Sequence, residues 1–113
     1  MISLTCHHGL ETGRGAGRDA LQPGQVALLA IHDLRTGSQQ VVLESKELIE
    51  APNWTRDGAR LVVNGGGRLL SIAADGSGAL TPIEVGAVRG VNNDHVISPD
   101  GTTIYFSAEG HLD

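Results

Sequence analysis

The chain has 113 residues, of which 40% are hydrophobic, and a formal net charge of −5 at neutral pH. This size and composition fit one soluble globular domain with a core of modest size. Its eight Lys and Arg residues are scattered and outnumbered by thirteen acidic residues, which argues against nucleic-acid binding. No apolar run approaches the roughly 18–20 residues that span a bilayer, so no membrane insertion is expected.

The start of the chain carries no recognisable targeting signal. It lacks the basic start and the apolar stretch of roughly 7–15 residues that mark a secretory signal peptide. The single cysteine, Cys6, cannot form an internal disulfide. These features predict a cytoplasmic protein, or a periplasmic one if the true start of the chain differs.

The first part of the chain divides into an arm and a pair of strands. Residues 1–24 are polar and interrupted by glycines, which predicts a disordered arm. Residues 26–34 predict a strand, residues 35–38 a turn, and residues 39–44 its antiparallel partner.

The next part predicts a complete four-stranded meander and then two further strands. Strands are predicted at 49–55, 60–64, 68–73 and 80–85, and then at 94–98 and 103–107. Asp-Gly pairs separate several of them, and this dipeptide favours hairpin turns because it tolerates positive φ. The pattern therefore predicts an all-β structure of about eight short antiparallel strands in three sheets.

Two segments of this pattern form an internal sequence repeat. Residues 51–64 align with residues 94–107 at a spacing of 43, which places Trp54 on Ile97. A repeat of about 40–45 residues with several short strands is typical of a β-propeller blade. Propellers close with roughly 4–8 blades. The chain therefore predicts an incomplete ring of about two blades' worth of strands: a half blade over 25–45, a full blade over 48–86 and a half blade over 93–108, within a domain over 25–113.

The motifs within the two repeats indicate a protein family. Trp54-Thr55-Arg56-Asp57-Gly58 and Ile97-Ser98-Pro99-Asp100-Gly101 resemble the Trp-Ser-Pro-Asp-Gly repeats of TolB-like, WD-type β-propellers. Residues 26–107 are similar to the opening blades of the TolB-related "biopolymer transporter" family, which makes the chain resemble an amino-terminal fragment. The resemblance implies that further blades complete the ring, and that the first strand of each blade lines a central channel.

The resemblance also implies where a ligand would bind. It places Asn53 and Trp54 near the channel, and Asn92, Asn93, Asp94 and His95 at its mouth. All of these except Asn92 are the candidate ligand-binding residues. His95 is in addition a candidate metal ligand or proton carrier, because an imidazole can do either near neutral pH.

A purely structural interpretation of these residues stays open. In it, Asn93 and Asp94 cap a turn and His95 hydrogen-bonds to the adjacent blade. Trp54 then packs between blades, because large aromatic side chains fill gaps between sheets. Neighbours in a strand point to opposite faces, so Asp94 and His95 need not act together.

Two functions remain open. The first is a non-catalytic binding module, without a cofactor, that presents a channel mouth or blade edge to a protein, peptide or saccharide. The alternative is a fragment of a propeller enzyme, a metal-dependent polysaccharide lyase or hydrolase with His95 and a divalent metal at the channel. An enzyme needs several titratable groups that converge on one site. The sequence offers one such group at the predicted channel, His95, and this favours the binding module. Unpaired strand edges also predict self-association.

Overall fold

The computed structural model describes the backbone of residues 2–8 and the whole of residues 20–109. The described residues form nine strands: β1 (Ile2–His8), β2 (Gln25–His32), β3 (Gln39–Ser45), β4 (Glu50–Trp54), β5 (Arg60–Gly65), β6 (Arg68–Ala73), β7 (Thr81–Pro82), β8 (Val91–Ile97) and β9 (Ile104–Ala108). These residues contain no helix, and so none that could cross a membrane. The all-β prediction is confirmed.

The strands form three antiparallel sheets that follow one another along the chain. Sheet A has the order β1-β2-β3, sheet B the order β4-β5-β6-β7, and sheet C the order β8-β9. The first strands of consecutive sheets touch, β1 against β4 and β4 against β8. Each sheet is therefore a blade or part of one, with its first strand on the inner side, and sheet B is the four-stranded meander that the sequence predicts.

The first sheet corrects the predicted disordered arm. Ile2–His8 pairs antiparallel with β2 along its whole length, from Ile2 opposite Ile31 to His8 opposite Gln25. The alternation of Ile2, Leu4 and Cys6 with polar residues is a strand pattern. The sequence prediction gave more weight to the glycines that follow and therefore assigned the whole segment to the arm. Sheet A therefore has three strands instead of two. Residues 9–19 of the predicted arm lie outside the described residues.

The fourth strand of sheet B is shorter than predicted. The sequence predicts a strand over 80–85, whereas β7 contains only Thr81 and Pro82, opposite Ser71 and Leu70. Proline has no N–H to donate to a ladder, which limits pairing at this edge.

Two apolar clusters join the three sheets. The first cluster lies between sheets A and B, and its buried members are Ala27, Leu29, Val42, Ile49, Leu61, Val63, Leu70 and Ile72. The second cluster lies between sheets B and C and is smaller, with Val62, Leu69, Val91 and Ile97. Alternate residues of a strand point to opposite faces. For this reason β5 supplies Leu61 and Val63 to the first cluster and Val62 to the second, and sheet B is packed on both sides.

Candidate binding cleft between the second and third blades

The inner strands β4 and β8 are both irregular near their starts. The register of β4 against β5 shifts between Glu50 and Asn53, and that of β8 against β9 shifts between Val91 and His95. Ala51, inside the first irregularity, has a φ of 58°, which is uncommon for a residue other than glycine. Such bulges bend a strand and redirect its side chains.

A cleft of about 810 Å³ opens between sheets B and C where these inner strands begin. The residues that line it are Leu48, Glu50, Asn64, residues 65–67, Gly90, Val91, Asn92, Asn93, Asp94 and Glu109. Three of them carry carboxylates, and none of these lining residues is basic or aromatic. The cleft is therefore polar, acidic and open to solvent.

A glycine turn forms one wall of the cleft. Gly66 and Gly67 have φ values of 59° and 78°, as the tight turn between β5 and β6 requires. A Cβ atom on Gly65 would lie 2.8 Å from the carbonyl oxygen of Leu48, so this position admits no larger residue without a shift. The N–H of Val91 donates to the carbonyl of Gly67 at 3.0 Å. The turn thereby fastens sheet B to the start of β8.

A row of four polar side chains, the amide–imidazole relay, joins the two sheets beside the cleft. The relay consists of Asn53, His95, Asn64 and Asn93. Asn53 Nδ2 lies 2.9 Å from His95 Nδ1 and donates to the His95 carbonyl oxygen at 3.0 Å. His95 Nε2 lies 3.0 Å from Asn64 Oδ1. Asn64 Nδ2 donates to Asn93 Oδ1 at 2.8 Å.

These contacts define the state of the His95 ring. Because Asn53 donates towards Nδ1, the ring proton belongs on Nε2, where it is donated to Asn64. His95 is only 8% exposed. Burial lowers its pKa below the ordinary value of 6.5, although the charge of Asp94 acts in the opposite direction. The ring is therefore a neutral imidazole with both nitrogens engaged.

Metal binding at His95 would require one of these hydrogen bonds to break. Within residues 20–109, no group of three or more His, Cys, Asp or Glu side chains is placed to hold a metal ion. The metal role of His95 stays a prediction.

The five predicted site residues do not form one site. Asn93 and Asp94 line the cleft, whereas His95 and Asn53 lie behind it in the relay. Trp54 faces the opposite way, since its ring packs against the first cluster and its Nε1 donates to the carbonyl of Gly58 at 2.9 Å. His95 hydrogen-bonds to the adjacent sheet, and Trp54 packs between sheets. For these two side chains the geometry is that of the purely structural interpretation.

Sequence reasoning missed three residues of this region. Asn64 is the centre of the relay, and Glu50 and Glu109 supply two of the three carboxylates of the cleft. Glu50 and Asn64 are directly opposite in the β4–β5 ladder. The predicted hairpin could therefore have placed both at the mouth of the second blade.

At the other ends of these inner strands, the Arg56 side chain joins sheets B and C through hydrogen bonds. Arg56 stands in the turn after β4, where the repeat has Pro99. Its Nε donates to the carbonyl of Ser98 at 3.1 Å, and its Nη2 donates to the carbonyl of Ile97 at 3.0 Å. Gly101 leaves room for this side chain, because a Cβ there would lie 3.1 Å from Arg56 Cβ. Sheets B and C are thus tied together at both ends.

Comparison with known proteins agrees with this architecture. No family model matches the chain. An uncharacterized protein of Agrobacterium fabrum is 37% identical over 108 residues, which are 95% of this chain and 34% of that protein. A solved structure described as "putative TolB from Agrobacterium tumefaciens" matches with a TM-score of 0.69 and 37% identity, over 72% of this chain and 29% of that one. The chain spans about a third of the length of these relatives. It has a TolB-like fold, a partial β-propeller.

Proposed function

We propose that the chain is a non-catalytic binding module, a piece of a TolB-like, WD-type propeller whose ligand enters the cleft between sheets B and C. The observation that carries the proposal is the cleft itself. Its volume of about 810 Å³ lies within the roughly 300–1,000 Å³ that is typical of ligand sites. Asn93 and Asp94 are exposed on its wall, and the relay behind them holds Asn93 in place.

The lining of the cleft favours one class of ligand. Glu50, Asp94 and Glu109 contribute negative charge, and the lining that the structure describes has no Lys or Arg to offset it. Complementary charge guides partners to such a surface. None of the described residues that line the cleft has an aromatic ring on which a sugar could stack. We therefore favour a basic segment of a peptide or protein over a saccharide as the ligand.

The enzymatic alternative has less support. A propeller lyase or hydrolase would need several titratable groups that converge on a substrate. His95 is buried and uses both ring nitrogens in the relay, so it would have to leave Asn53 or Asn64 before it could bind a metal or move a proton.

The test is a binding titration at low ionic strength with two peptides of equal length, one rich in lysine and one rich in glutamate. We expect the lysine-rich peptide to bind and Glu109→Gln to weaken it several-fold. Glu44→Gln is the matched control, because Glu44 is an exposed residue of β3 outside the cleft. Equal binding by both variants, or preference for the glutamate-rich peptide, would contradict the proposal.

A further inference from the structure

The hydrogen bonds of the amide–imidazole relay have a fixed direction. The direction is set at the backbone carbonyl oxygen of His95, which can only accept a hydrogen bond. The atom of Asn53 that faces this oxygen at 3.0 Å is therefore Nδ2, and the same Nδ2 lies 2.9 Å from His95 Nδ1. Because Nδ1 accepts, the ring proton is on Nε2, which donates to Asn64 Oδ1 at 3.0 Å.

This direction determines which end of the Asn93 amide remains available. Since Asn64 Oδ1 accepts from His95, Asn64 Nδ2 is the atom that faces Asn93, and it donates to Asn93 Oδ1 at 2.8 Å. Within the part of the chain that the structure describes, Asn93 Nδ2 has no hydrogen-bond partner. Asn93 is exposed and lines the cleft. The relay therefore leaves Asn93 as a hydrogen-bond donor, and not as an acceptor, at the wall of the cleft.

The neighbouring amide, that of Asn92, is used differently. Its Oδ1 accepts from the Asp94 N–H at 2.9 Å and from the Ser107 hydroxyl at 2.7 Å. Its Nδ2 lies 3.5 Å from a carboxylate oxygen of Glu109. Both ends of this amide thus face groups of the chain itself. Among the asparagines that the structure places in the lining, Asn93 is the one whose N–H groups stay available to a ligand.

A donor beside three carboxylates sets two requirements for a ligand. The carboxylates of Glu50, Asp94 and Glu109 favour a cation, and the N–H groups of Asn93 need an acceptor oxygen. A lysine or arginine residue within a peptide has both, since its side chain is a cation and its backbone carbonyl accepts. A polyamine has the cation alone, because protonated amines only donate.

We propose that Asn93 is the residue by which the cleft selects a basic residue within a peptide over a free amine. Its Nδ2 donates to a backbone carbonyl oxygen of the ligand, while the carboxylates receive the basic side chain. Asn64 is a positioning residue, because its hydrogen bond to Asn93 Oδ1 keeps Nδ2 directed towards the ligand. These roles rest on the proposed function, the binding of a basic segment in this cleft.

Asn93→Asp separates hydrogen-bond donation from charge. The substitution keeps an oxygen for Asn64 to donate to, but it replaces the Nδ2 donor with an acceptor and adds a negative charge. Charge alone would strengthen the binding of the lysine-rich peptide. Loss of the donor should instead weaken it by about three- to tenfold, the range that one hydrogen bond contributes. Spermidine, a polyamine, should bind the variant at least as tightly as it binds the wild type.

Gln40→Glu is the matched control for this variant. It also converts an exposed amide into a carboxylate, but on β3 and outside the cleft, so both affinities should stay close to those of the wild type. Far-UV circular dichroism confirms that both variants remain folded. Tighter binding of the lysine-rich peptide by Asn93→Asp, or equal effects of Asn93→Asp and Gln40→Glu, would overturn the role of Asn93.

NMR of the wild-type chain provides a measurement that needs no variant. The side-chain amide protons of Asn93 should move downfield when the lysine-rich peptide is added, because they enter a hydrogen bond to a carbonyl oxygen. Spermidine should leave them in place. An Asn93 amide that does not respond to the bound peptide, or that responds equally to spermidine, would also overturn its role.

Failure of this role and failure of the proposed function give different results. If the wild type binds the lysine-rich peptide and Glu109→Gln weakens it, but Asn93→Asp does not, the role of Asn93 is wrong and the acidic binding cleft stands. If the wild type does not prefer the lysine-rich peptide to the glutamate-rich one, the proposed function is wrong and the role of Asn93 falls with it.

Discussion

The two junctions between sheets use different physics. Among the side chains that the structure describes, the junction of sheets A and B has eight buried apolar ones in one cluster. The junction of sheets B and C has four, together with the amide–imidazole relay and the two hydrogen bonds of Arg56. Burial of apolar area tolerates small shifts and is insensitive to pH, whereas hydrogen bonds require fixed partners. The second junction is therefore the more specific, and it lies beside the cleft.

The largest expected effect tests the apolar junction. Leu61 is fully buried in the first cluster. We expect Leu61→Ala to lower the free energy of unfolding by about 2–5 kcal/mol, because it removes apolar contacts and leaves a cavity. Leu34→Ala, in an exposed turn, should stay within about 0.5 kcal/mol of the wild type. Urea denaturation measures both, and similar losses for the two variants would refute this account of the junction.

The relay gives the next largest effect. His95→Ala removes the partner of Asn53 Nδ2 at Nδ1 and the partner of Asn64 Oδ1. We expect a loss of about 1–3 kcal/mol, since buried polar groups without partners are costly. A loss of stability with unchanged peptide binding assigns His95 a structural role. A loss of binding at unchanged stability would assign it to the ligand site.

The two junctions should also differ in their response to pH. Burial lowers the pKa of His95 below 6.5. The unfolded chain therefore binds a proton near pH 6.5 that the folded chain takes up only at lower pH, so this contribution to stability is complete above about pH 6.5 and falls below it. Urea denaturation across this range should show the slope. Its size should shrink in His95→Ala but persist in Leu61→Ala, and an unchanged slope in His95→Ala would contradict the assignment.

Arg56 provides a smaller test of the polar junction. Arg56→Lys keeps the charge but cannot donate to both the Ile97 and Ser98 carbonyls with the same fork geometry. We expect a loss of about 1 kcal/mol. Arg35→Lys is the control, because Arg35 lies in an exposed turn and pairs with Asp33 within that turn. Thermal melts measure both variants. Equal melting temperatures for Arg56→Lys and Arg35→Lys would contradict the role of Arg56.

The smallest effect compares the two copies of the repeated turn. The Ser98 hydroxyl and then the Thr102 hydroxyl and N–H donate to Asp100 and lower its pKa to about 2. The N–H of Ala59 and the hydroxyl of Thr55 lower the pKa of Asp57 in the same direction. A carbon NMR titration should find Asp100 ionised well below pH 3.8, the ordinary value. In Ser98→Ala the pKa should rise, and an unshifted Asp100 would show that the turn is not formed in solution.

The local features of the fold were predictable from the sequence. The Asp-Gly turns and the paired apolar strands predict sheet B and the first strands of sheet C, because both signals depend on residues close together in the chain. β1 was missed because the glycine-rich stretch after it dominated its composition. Its partner strand begins only at Gln25, so no short hairpin in the sequence indicates that β1 pairs with β2.

The site was only partly predictable, for a physical reason. Asn93, Asp94 and His95 follow from the resemblance and the repeat. The position of Asn64 opposite Glu50 was within reach of the predicted hairpin, but its hydrogen-bond partners were not, because its contacts to Asn93 and His95 span 29 and 31 residues. The direction of Trp54 likewise depends on the register of β4, which a bulge shifts. Long-range contacts of this kind arise only once the sheets are packed.

The burial of β5 on both sides has a consequence for how the molecule opens. Sheets A and C each cover one side of sheet B, through Leu61 and Val63 on one face and Val62 on the other. In a row of repeated units, an outer unit can detach while the central one keeps half of its cover. Amide hydrogens of β5 should therefore exchange with solvent more slowly than those of β9, and sheet C, whose junction has the smaller apolar cluster, should be the first to separate.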